Sequence, residues 1–242
     1  MKRILSFIFV VSAMLTANAQ PAQDWADFKR YEKDNQTVKT LPQEKRKVVF
    51  MGNSITQNWA SRHGQFFTEN GYIGRGIGGQ TTYQMVLRFY EDVINLKPKA
   101  VVINGGTNDI ALNNHPYIED RTFQNICTMA QMAKQNKIKV ILTSVTPCEK
   151  YGWRPEVTDA IEKIKSLNAR IKEYARQNKF EYVDYYEAMV EVDANGNATG
   201  RMRPGISDKR SDGTDEGCHP NLDGYAIMEP LVQAAIKKVG VK

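Results

Sequence analysis

Short apolar runs alternate with longer stretches of helical periodicity along most of this 242-residue chain, and that alternation restricts the folds open to it. Five apolar runs predict buried strands, at residues 47–51, 72–73, 100–103, 139–145 and 182–185. The stretches between them repeat apolar residues at helical spacing, as in Ile161, Ile164, Leu167 and Ile171. Strands that alternate with helices are typical of a mostly parallel sheet covered on both faces. The sequence therefore predicts one α/β domain.

The first residues carry the pattern of a secretory signal peptide. A basic start at Lys2 and Arg3 precedes an apolar run over residues 4–15 and the small-residue sequence Ala17-Asn18-Ala19. The apolar run is shorter than the ~20 residues of a membrane span, and no cysteine follows it for a lipid anchor. We therefore expect a signal peptide over residues 1–19, cleavage near Ala19, no membrane anchor, and a secreted or periplasmic protein.

The remaining chain divides into an extension and a main domain. Aromatic residues at intervals of three, Trp25, Phe28 and Tyr31, predict an N-terminal helical extension over residues 20–45, followed by a domain over residues 46–242. A stretch rich in Gly, Asp and Arg over residues 193–218 is long for a structureless connection, which makes it a candidate functional loop. A last helix is predicted from Leu222 to about Lys238, capped by Asn221.

Charge and cysteine content exclude several classes of protein. The formal net charge of +6 comes from dispersed basic residues, without the stripe of cations and aromatics that nucleic-acid binding requires, so we expect no nucleic-acid partner. The cysteines, Cys127, Cys148 and Cys218, form no CxxC pair, which argues against a disulfide framework and a zinc ribbon. One disulfide bond remains possible after export, and the spacing does not select its partners.

Small, hydroxyl and amide residues follow three of the predicted strands. Ser54 stands after the first strand, Gly79 after the second and Asn108 after the third, and His219 precedes the last helix. Ligands of open α/β sheets bind beyond the carboxyl ends of the strands. We therefore expect these residues to meet at one edge of the sheet.

Each of these residues suits one part of an acyl-transfer site. Ser54 is the candidate nucleophile and His219 its candidate base, because a serine hydroxyl is a poor nucleophile without one. A carboxylate in the turn before His219 would orient the imidazole; of Glu216 and Asp215 we favour Glu216. Three N–H donors would form an oxyanion hole, those of Ser54, Gly79 and Asn108.

In their order along the chain, these motifs resemble those of the SGNH hydrolases, the GDSL esterase/lipase family. The matching blocks are Gly52-Asn53-Ser54, Gly79-Gln80-Thr81, Gly106-Thr107-Asn108-Asp109 and Glu216-Gly217-Cys218-His219-Pro220. The chain departs from the family pattern at Asn53 and Glu216, where aspartate is usual. The resemblance implies a three-layer α/β/α flavodoxin-like fold with a five-stranded parallel sheet, and ester hydrolysis without a metal or cofactor.

The expected function is that of a secreted serine esterase acting on short-chain acyl esters, chiefly acetyl esters, of small molecules or carbohydrates. Two alternatives remain open: a catalytically inactive domain that binds glycans, and an acetyltransferase that passes the acyl group to a sugar. Four aromatic residues follow strand ends and are candidates either for a sugar platform or for ordinary packing: Trp59, Tyr83, Tyr151 and Trp153.

Two other enzyme classes fit the sequence poorly. Residues 74–79 spell GxGxxG, but a dinucleotide site needs this motif to open the helix of the first βαβ unit, and here it follows the second strand. The GxSxG motif of the α/β-hydrolases is absent, because position 56 is threonine.

Overall fold

Five parallel strands form the central sheet of the computed structural model, which describes residues 23–241; the predicted signal peptide lies outside these residues. The strands are β1 (Val48–Gly52), β2 (Tyr72–Gly76), β3 (Ala100–Ile103), β4 (Lys139–Thr143) and β5 (Glu181–Val183). Their order, β2-β1-β3-β4-β5, is flavodoxin-like and confirms the predicted fold class. The chain changes direction across the sheet between β1 and β3, so a crevice opens at the carboxyl ends of these two strands.

Alternate residues of each central strand supply two separate cores. In β1, Val49 and Met51 join the hydrophobic cluster on one face of the sheet, whereas Val48 and Phe50 join the cluster on the other face. All of β1 is buried. Because successive side chains of a strand point to opposite faces, a strand covered on both faces has a continuous apolar sequence. This is why the central strands could be predicted.

Helices cover both faces and complete three layers. The helices on the Phe50 face are α2 (Ser54–Arg62), α3 (Gly64–Asn70), α8 (Tyr185–Met189) and α9 (Leu222–Lys238). Those on the Met51 face are α1 (Lys29–Thr40), α4 (Thr82–Asp92), α5 (Thr107–Ile110), α6 (Glu119–Gln135) and α7 (Ala160–Asn178). Helix α9 begins as predicted, with Asn221 Oδ1 accepting a hydrogen bond from the N–H of Gly224 at 3.0 Å. Among residues 23–241, every helix is too short or too polar to span a bilayer.

The stretch over residues 193–218, a candidate functional loop from the sequence, forms parts of two short antiparallel hairpins and contains Glu216. Here β6 (Val190–Val192) pairs antiparallel with β7 (Ala198–Met202), and β8 (Ser207–Lys209) pairs antiparallel with β9 (Asp215–Pro220). These strands are short, and most of their residues are only partly buried or exposed, so they carry no apolar run. The fifth central strand also ends earlier than predicted, because Asp184 caps α8 by accepting from the N–H of Glu187.

The N-terminal segment packs differently from the aromatic face that the sequence suggested. Helix α1 begins at Lys29, after Trp25 and Phe28, and these two side chains are each 44% exposed. The buried residues of α1 are Asn35 and Val38. Periodicity identified a helix in this segment but assigned two of its aromatic residues to the wrong environment.

Candidate active site

The turn between β1 and α2 presents Ser54. Asn53 caps α2, with its Oδ1 accepting from the N–H of Ile55 at 3.1 Å. Gly52 leaves no room for a side chain, since a Cβ there would lie 2.1 Å from Thr56 Oγ1. Ser54, directly after this cap, is the first residue of α2. Its backbone N–H has no acceptor within the helix and lies at the positive end of the helix dipole.

The hydroxyl of Ser54 is the start of a chain of hydrogen bonds. Ser54 Oγ lies 2.9 Å from Nε2 of His219, which is carried by β9. The other ring nitrogen, Nδ1, lies 3.1 Å from Glu216 Oε1. Because an ionised carboxylate only accepts hydrogen bonds, Nδ1 carries the proton and Nε2 is left to accept from Ser54. The structure thus brings together the three residues predicted as nucleophile, base and orienting acid.

Glu216 is held by the turn that it opens. Its Oε2 accepts from the backbone N–H of His219 at 2.6 Å and from that of Cys218 at 2.9 Å. Gly217 adopts a φ of +81°, which favours glycine. Burial opposes ionisation of Glu216, but the hydrogen bonds from His219 outweigh it and hold the pKa of Glu216 below its usual value. The residue therefore presents a charged carboxylate to the imidazole.

Asp215, the other candidate acid, points elsewhere. Its Oδ1 lies 2.6 Å from Lys209 Nζ, and its Oδ2 accepts from the N–H of Gly205 at 2.8 Å. The hydrogen bond from Lys209 is the main cause of the lowered pKa of Asp215. Of the two carboxylates that the sequence left open, Glu216 is the one that reaches His219.

The predicted oxyanion donors lie at the same edge of the sheet. Asn108 is only 2% exposed, and its Nδ2 donates one hydrogen bond to the carbonyl of Gln80 at 2.9 Å, which leaves its second N–H. Gly79 has a φ of +75°, and within residues 23–241 its N–H has no protein acceptor. A Cβ on Gly78 would lie 3.9 Å from the Cβ of Ser54, so this glycine turn adjoins the nucleophile.

Asp109 connects the two segments that carry the predicted oxyanion donors Gly79 and Asn108. This fully buried carboxylate accepts from the N–H of Thr82 at 2.9 Å, from its Oγ1 at 2.6 Å and from Thr122 Oγ1 at 3.2 Å. Burial raises the pKa of Asp109. Because Thr82 begins α4 and Asp109 lies in α5, these bonds link the helix after the Gly79 turn to the helix that holds Asn108.

Arg88 is a second positioning residue that sequence reasoning missed. It is fully buried in α4 and donates to the carbonyl of Gly52 at 2.9 Å, to that of Arg75 at 3.0 Å and to Gln80 Oε1 at 2.5 Å. Asp92, one turn later, accepts from it at 2.8 Å. Burial lowers the pKa of Arg88, against the influence of Asp92. The i,i+4 spacing was visible in the sequence, but it is more often found in exposed helix pairs.

One group of potential metal ligands occurs in the described part of the chain, and it overlaps the catalytic candidates. Donor atoms of Glu216, Cys218 and His219 lie within 4.8 Å of one another. Contact with the Cys148 thiol and burial raise the pKa of Cys218, which disfavours the thiolate that a metal would need. That the site acts without a metal stays a prediction. Cys127, Cys148 and Cys218 are all free cysteines in the structure.

The four aromatic candidates have different environments. Trp59 and Tyr151 are buried, with 2% and 0% of their surfaces exposed, and therefore belong to the packing. Tyr83 is half-buried, with its ring centroid 4.1 Å from that of His115. Trp153 is 39% exposed, and its ring centroid lies 5.5 Å from that of His219.

An open flavodoxin-like sheet with a serine, a histidine and an acid at its switch point defines an α/β enzyme suited to acyl transfer. Residues 50–227 match the model of the GDSL-like Lipase/Acylhydrolase family. The chain belongs to this family and is a carboxylic ester hydrolase.

The proteins similar to this chain differ in sequence identity and in how much of each chain is covered. A GDSL-like lipase from Bacteroides thetaiotaomicron VPI-5482 is 51% identical, with a TM-score of 0.79 over 88% of this chain and 98% of that chain. An acetyl xylan esterase, 23% identical with a TM-score of 0.61 over 78% of this chain and 99% of its own, shares the fold. An uncharacterized lipoprotein of Bacillus subtilis (strain 168) is 37% identical over 78 residues, which are 31% of this chain and only 32% of that protein.

Proposed function

We propose that this chain is a secreted or periplasmic serine esterase that removes short acyl groups, chiefly acetyl, from carbohydrate esters. The observation that carries the proposal is the unbroken chain from Ser54 Oγ to His219, at 2.9 Å, and on to Glu216, at 3.1 Å. As donors for the oxyanion we assign the N–H groups of Ser54, Gly79 and Asn108, which follow the carboxyl ends of β1, β2 and β3. These features supply a nucleophile, a base and charge stabilisation at one place.

Acylation begins with attack of Ser54 Oγ on the ester carbonyl carbon, while His219 Nε2 takes the hydroxyl proton. The carbonyl oxygen becomes an oxyanion, which the three N–H donors stabilise. Glu216 stabilises the imidazolium through Nδ1. When the carbon–oxygen bond to the alcohol breaks, His219 returns the proton to the leaving alcohol, and the acyl group remains on Ser54.

Deacylation repeats these steps with water as the nucleophile. His219 takes a proton from water as the water oxygen bonds to the acyl carbon, and the same donors hold the second oxyanion. Breakdown of this intermediate releases the carboxylic acid and returns the proton to Ser54 Oγ. Each cycle therefore consumes one ester and one water and gives one acid and one alcohol, with no external electron donor.

Three observations support a short acyl group, a carbohydrate alcohol and an extracytoplasmic location. The cavity that Glu216 lines is bordered mostly by charged side chains, such as Lys150 and Arg201, whereas a long acyl chain would need an apolar channel. Trp153 offers an exposed aromatic face beside His219, and an acetyl xylan esterase has the same fold. The lipoprotein relative agrees with the export pattern of the N-terminus.

The test uses protein beginning at Gln20, with Ser54→Ala as the matched control. Rates are measured on p-nitrophenyl acetate, butyrate and octanoate, and acetate release is measured on acetylated xylan. We expect acetate to be preferred over octanoate by about 10-fold or more, and Ser54→Ala to lose activity on every substrate. A preference for octanoate, or acetate release that survives in Ser54→Ala, would refute the proposal.

The same assay separates the two alternative functions. With a free acceptor sugar present, an acetyltransferase would form acetylated sugar at the expense of free acetate, while an esterase would give acetate in both conditions. Binding to the polysaccharide without turnover of any ester would indicate a glycan-binding domain instead.

A further inference from the structure

Trp153 is the exposed aromatic side chain that stands beside the candidate base. Its ring is tilted 38° to that of His219 at a centroid distance of 5.5 Å, and its other neighbour is the buried ring of Tyr151, at 5.3 Å. Tyr151 therefore supports the indole from within the protein, while 39% of the Trp153 surface remains exposed. A supported aromatic face next to a reacting group is suited to contact with a substrate.

The position of Trp153 selects the alcohol part of the ester as its partner. His219 is the residue that returns a proton to the leaving alcohol, so that alcohol must lie against the imidazole when the ester bond breaks. Trp153 adjoins the same imidazole, whereas the oxyanion donors Gly79 and Asn108 hold the carbonyl oxygen. The apolar C–H face of a pyranose ring would pack on the indole, while its hydroxyl groups remain in water.

A hydrogen-bonded bridge connects Trp153 to the oxyanion donors. Trp153 Nε1 lies 3.1 Å from Asn113 Oδ1, and Asn113 Nδ2 lies 3.2 Å from both the carbonyl oxygen of Gly79 and Oδ1 of Asn108. The backbone N–H of Asn113 also donates to the carbonyl of Asn108 at 2.9 Å. Asn113 thus contacts both oxyanion segments and the aromatic wall.

The chemistry of the groups fixes the orientation of both amides. An indole N–H can only donate, so the oxygen of Asn113 must face Trp153, and its NH₂ group must face the two acceptors. The oxygen of Asn108 then faces Asn113, and its NH₂ group faces the carbonyl of Gln80. If Asn108 were turned by 180°, its oxygen would face the carbonyl of Gln80, and Asn108 would lose the N–H that we assign to the oxyanion hole.

We propose that Trp153 is the wall of a sugar-binding subsite for the leaving alcohol, and that Asn113 is a positioning residue that holds Asn108 in its donor orientation. Part of this inference, the sugar partner of Trp153, rests on the proposed function. The role of Asn113 requires only ester hydrolysis at Ser54. A sugar bound on Trp153 would restrain the indole and, through the hydrogen bond between them, Asn113. The Trp153–Asn113–Asn108 hydrogen bonds would then hold Asn108 in its donor orientation when a carbohydrate ester is bound.

The experiment compares two acetyl esters, ethyl acetate and a monoacetylated methyl xyloside, which share the acyl group and differ in the alcohol. Trp153→Ala should raise KM for the xyloside about 3- to 10-fold, with little change in KM for ethyl acetate. Trp153→Phe keeps a ring but removes the indole N–H, so it should retain most of the xyloside affinity and lower kcat on both esters. Trp25→Ala, which removes a comparably exposed tryptophan (44%), is the matched control and should match the wild type.

Asn113→Ala should lower kcat by about 10-fold on both esters while KM stays near the wild-type value. In the Asn113→Ala background, Trp153→Phe should have no further effect on kcat, since both substitutions break the same bridge. A merely structural role would lower thermal stability or protein yield and would not give this separation of kcat from KM or this loss of additivity.

The outcomes separate the two proposals. If Trp153→Ala changes KM equally for both esters or for neither, the sugar subsite is refuted. If Asn113→Ala retains wild-type kcat, or the two substitutions act additively, the positioning role is refuted. If the wild type cleaves ethyl acetate but not the xyloside, carbohydrate ester hydrolysis and the sugar subsite both fail, and Asn113 is still tested on ethyl acetate. If Ser54-dependent cleavage of either ester is not found, both proposals fail.

Discussion

Replacement of Glu216 by glutamine tests the orienting acid with almost no change in volume. In the structure, Glu216 Oε2 accepts from two backbone N–H groups, and Oε1 faces His219 Nδ1. The glutamine oxygen must take over the two backbone bonds, so the NH₂ group of the new side chain faces Nδ1. An N–H at this place favours the imidazole tautomer with its proton on Nε2, and this tautomer cannot accept the proton of Ser54.

Two losses of free energy determine how far kcat should fall in Glu216→Gln. The carboxylate no longer stabilises the imidazolium in the transition state, and a hydrogen bond to a charged group is worth about 1.5–3 kcal/mol. Restoring the productive tautomer would place one N–H against another, which costs about 1–3 kcal/mol for an unsatisfied donor. The sum centres on about 4 kcal/mol, so we expect kcat to fall by about 10³-fold.

The assay is kcat for p-nitrophenyl acetate, with Asp215→Asn as the matched control. Asp215 pairs with Lys209, whose side chain is 56% exposed, and such an ion pair is worth only about 0–1 kcal/mol. Asp215→Asn should therefore stay within about 3-fold of the wild type. If Glu216→Gln kept a near-normal kcat while Asp215→Asn had a strongly lowered kcat, Asp215 rather than Glu216 would be the acid that orients His219.

Four further predictions follow from the same contacts. Ser54→Ala and His219→Ala should each lower kcat by ~10³-fold or more with an unchanged circular-dichroism spectrum. Because the two residues act as a unit, the double variant should have a kcat only slightly below that of either single variant. Full activity in either single variant would refute the nucleophile–base pair. Asn108→Ala should lower kcat by about 10²–10³-fold with little change in KM, and a loss confined to KM would mean that Asn108 binds the ground state. EDTA should leave the rate unchanged, and inhibition that added Zn²⁺ or Ca²⁺ reverses would overturn the prediction of metal-free catalysis. The pKa of Glu216 in the folded protein lies below its usual 4.5, so its contribution to stability is present above pH 4.5 and is lost as the pH falls through the folded value. Tm should therefore fall less in Glu216→Gln than in the wild type between about pH 5 and pH 3. Equal falls in Tm would contradict this prediction.

The sequence predicted the parts of the molecule whose physical cause is local or periodic. The central strands are apolar throughout because helices cover both of their sides, and α9 begins where Asn221 can cap it. The edge shared by Ser54, Gly79 and Asn108 follows from the rule that parallel strands end at one side of the sheet. Predictions of this kind need only the order of residues along the chain.

Other features depend on contacts between distant residues and were missed. The hairpins over residues 193–218 are held by pairing of short, mostly polar strands, so hydrophobic periodicity gave no signal for them. Trp59 and Trp153 both follow strand ends, yet one is packed against other aromatic rings and the other is exposed. Composition alone could not distinguish these two tryptophans, because their burial is decided by which helices and loops pack over them.

The polar network around Arg88 links the predicted N-terminal extension to the main domain. Gln80, which accepts from Arg88, donates to the carbonyl of Ala26, and Asp92 accepts from Asn35 of α1 at 2.6 Å. A buried guanidinium is tolerated only when its donors and its charge are satisfied. Here Asn35 donates to Asp92, the counterion of Arg88, and Ala26 accepts from the amide group of Gln80. Both Asn35 and Ala26 precede β1. Because Gln80 directly follows Gly79, the N-terminal segment supports the backbone of the proposed oxyanion turn. The scaffold of the candidate site therefore begins before the first strand of the sheet.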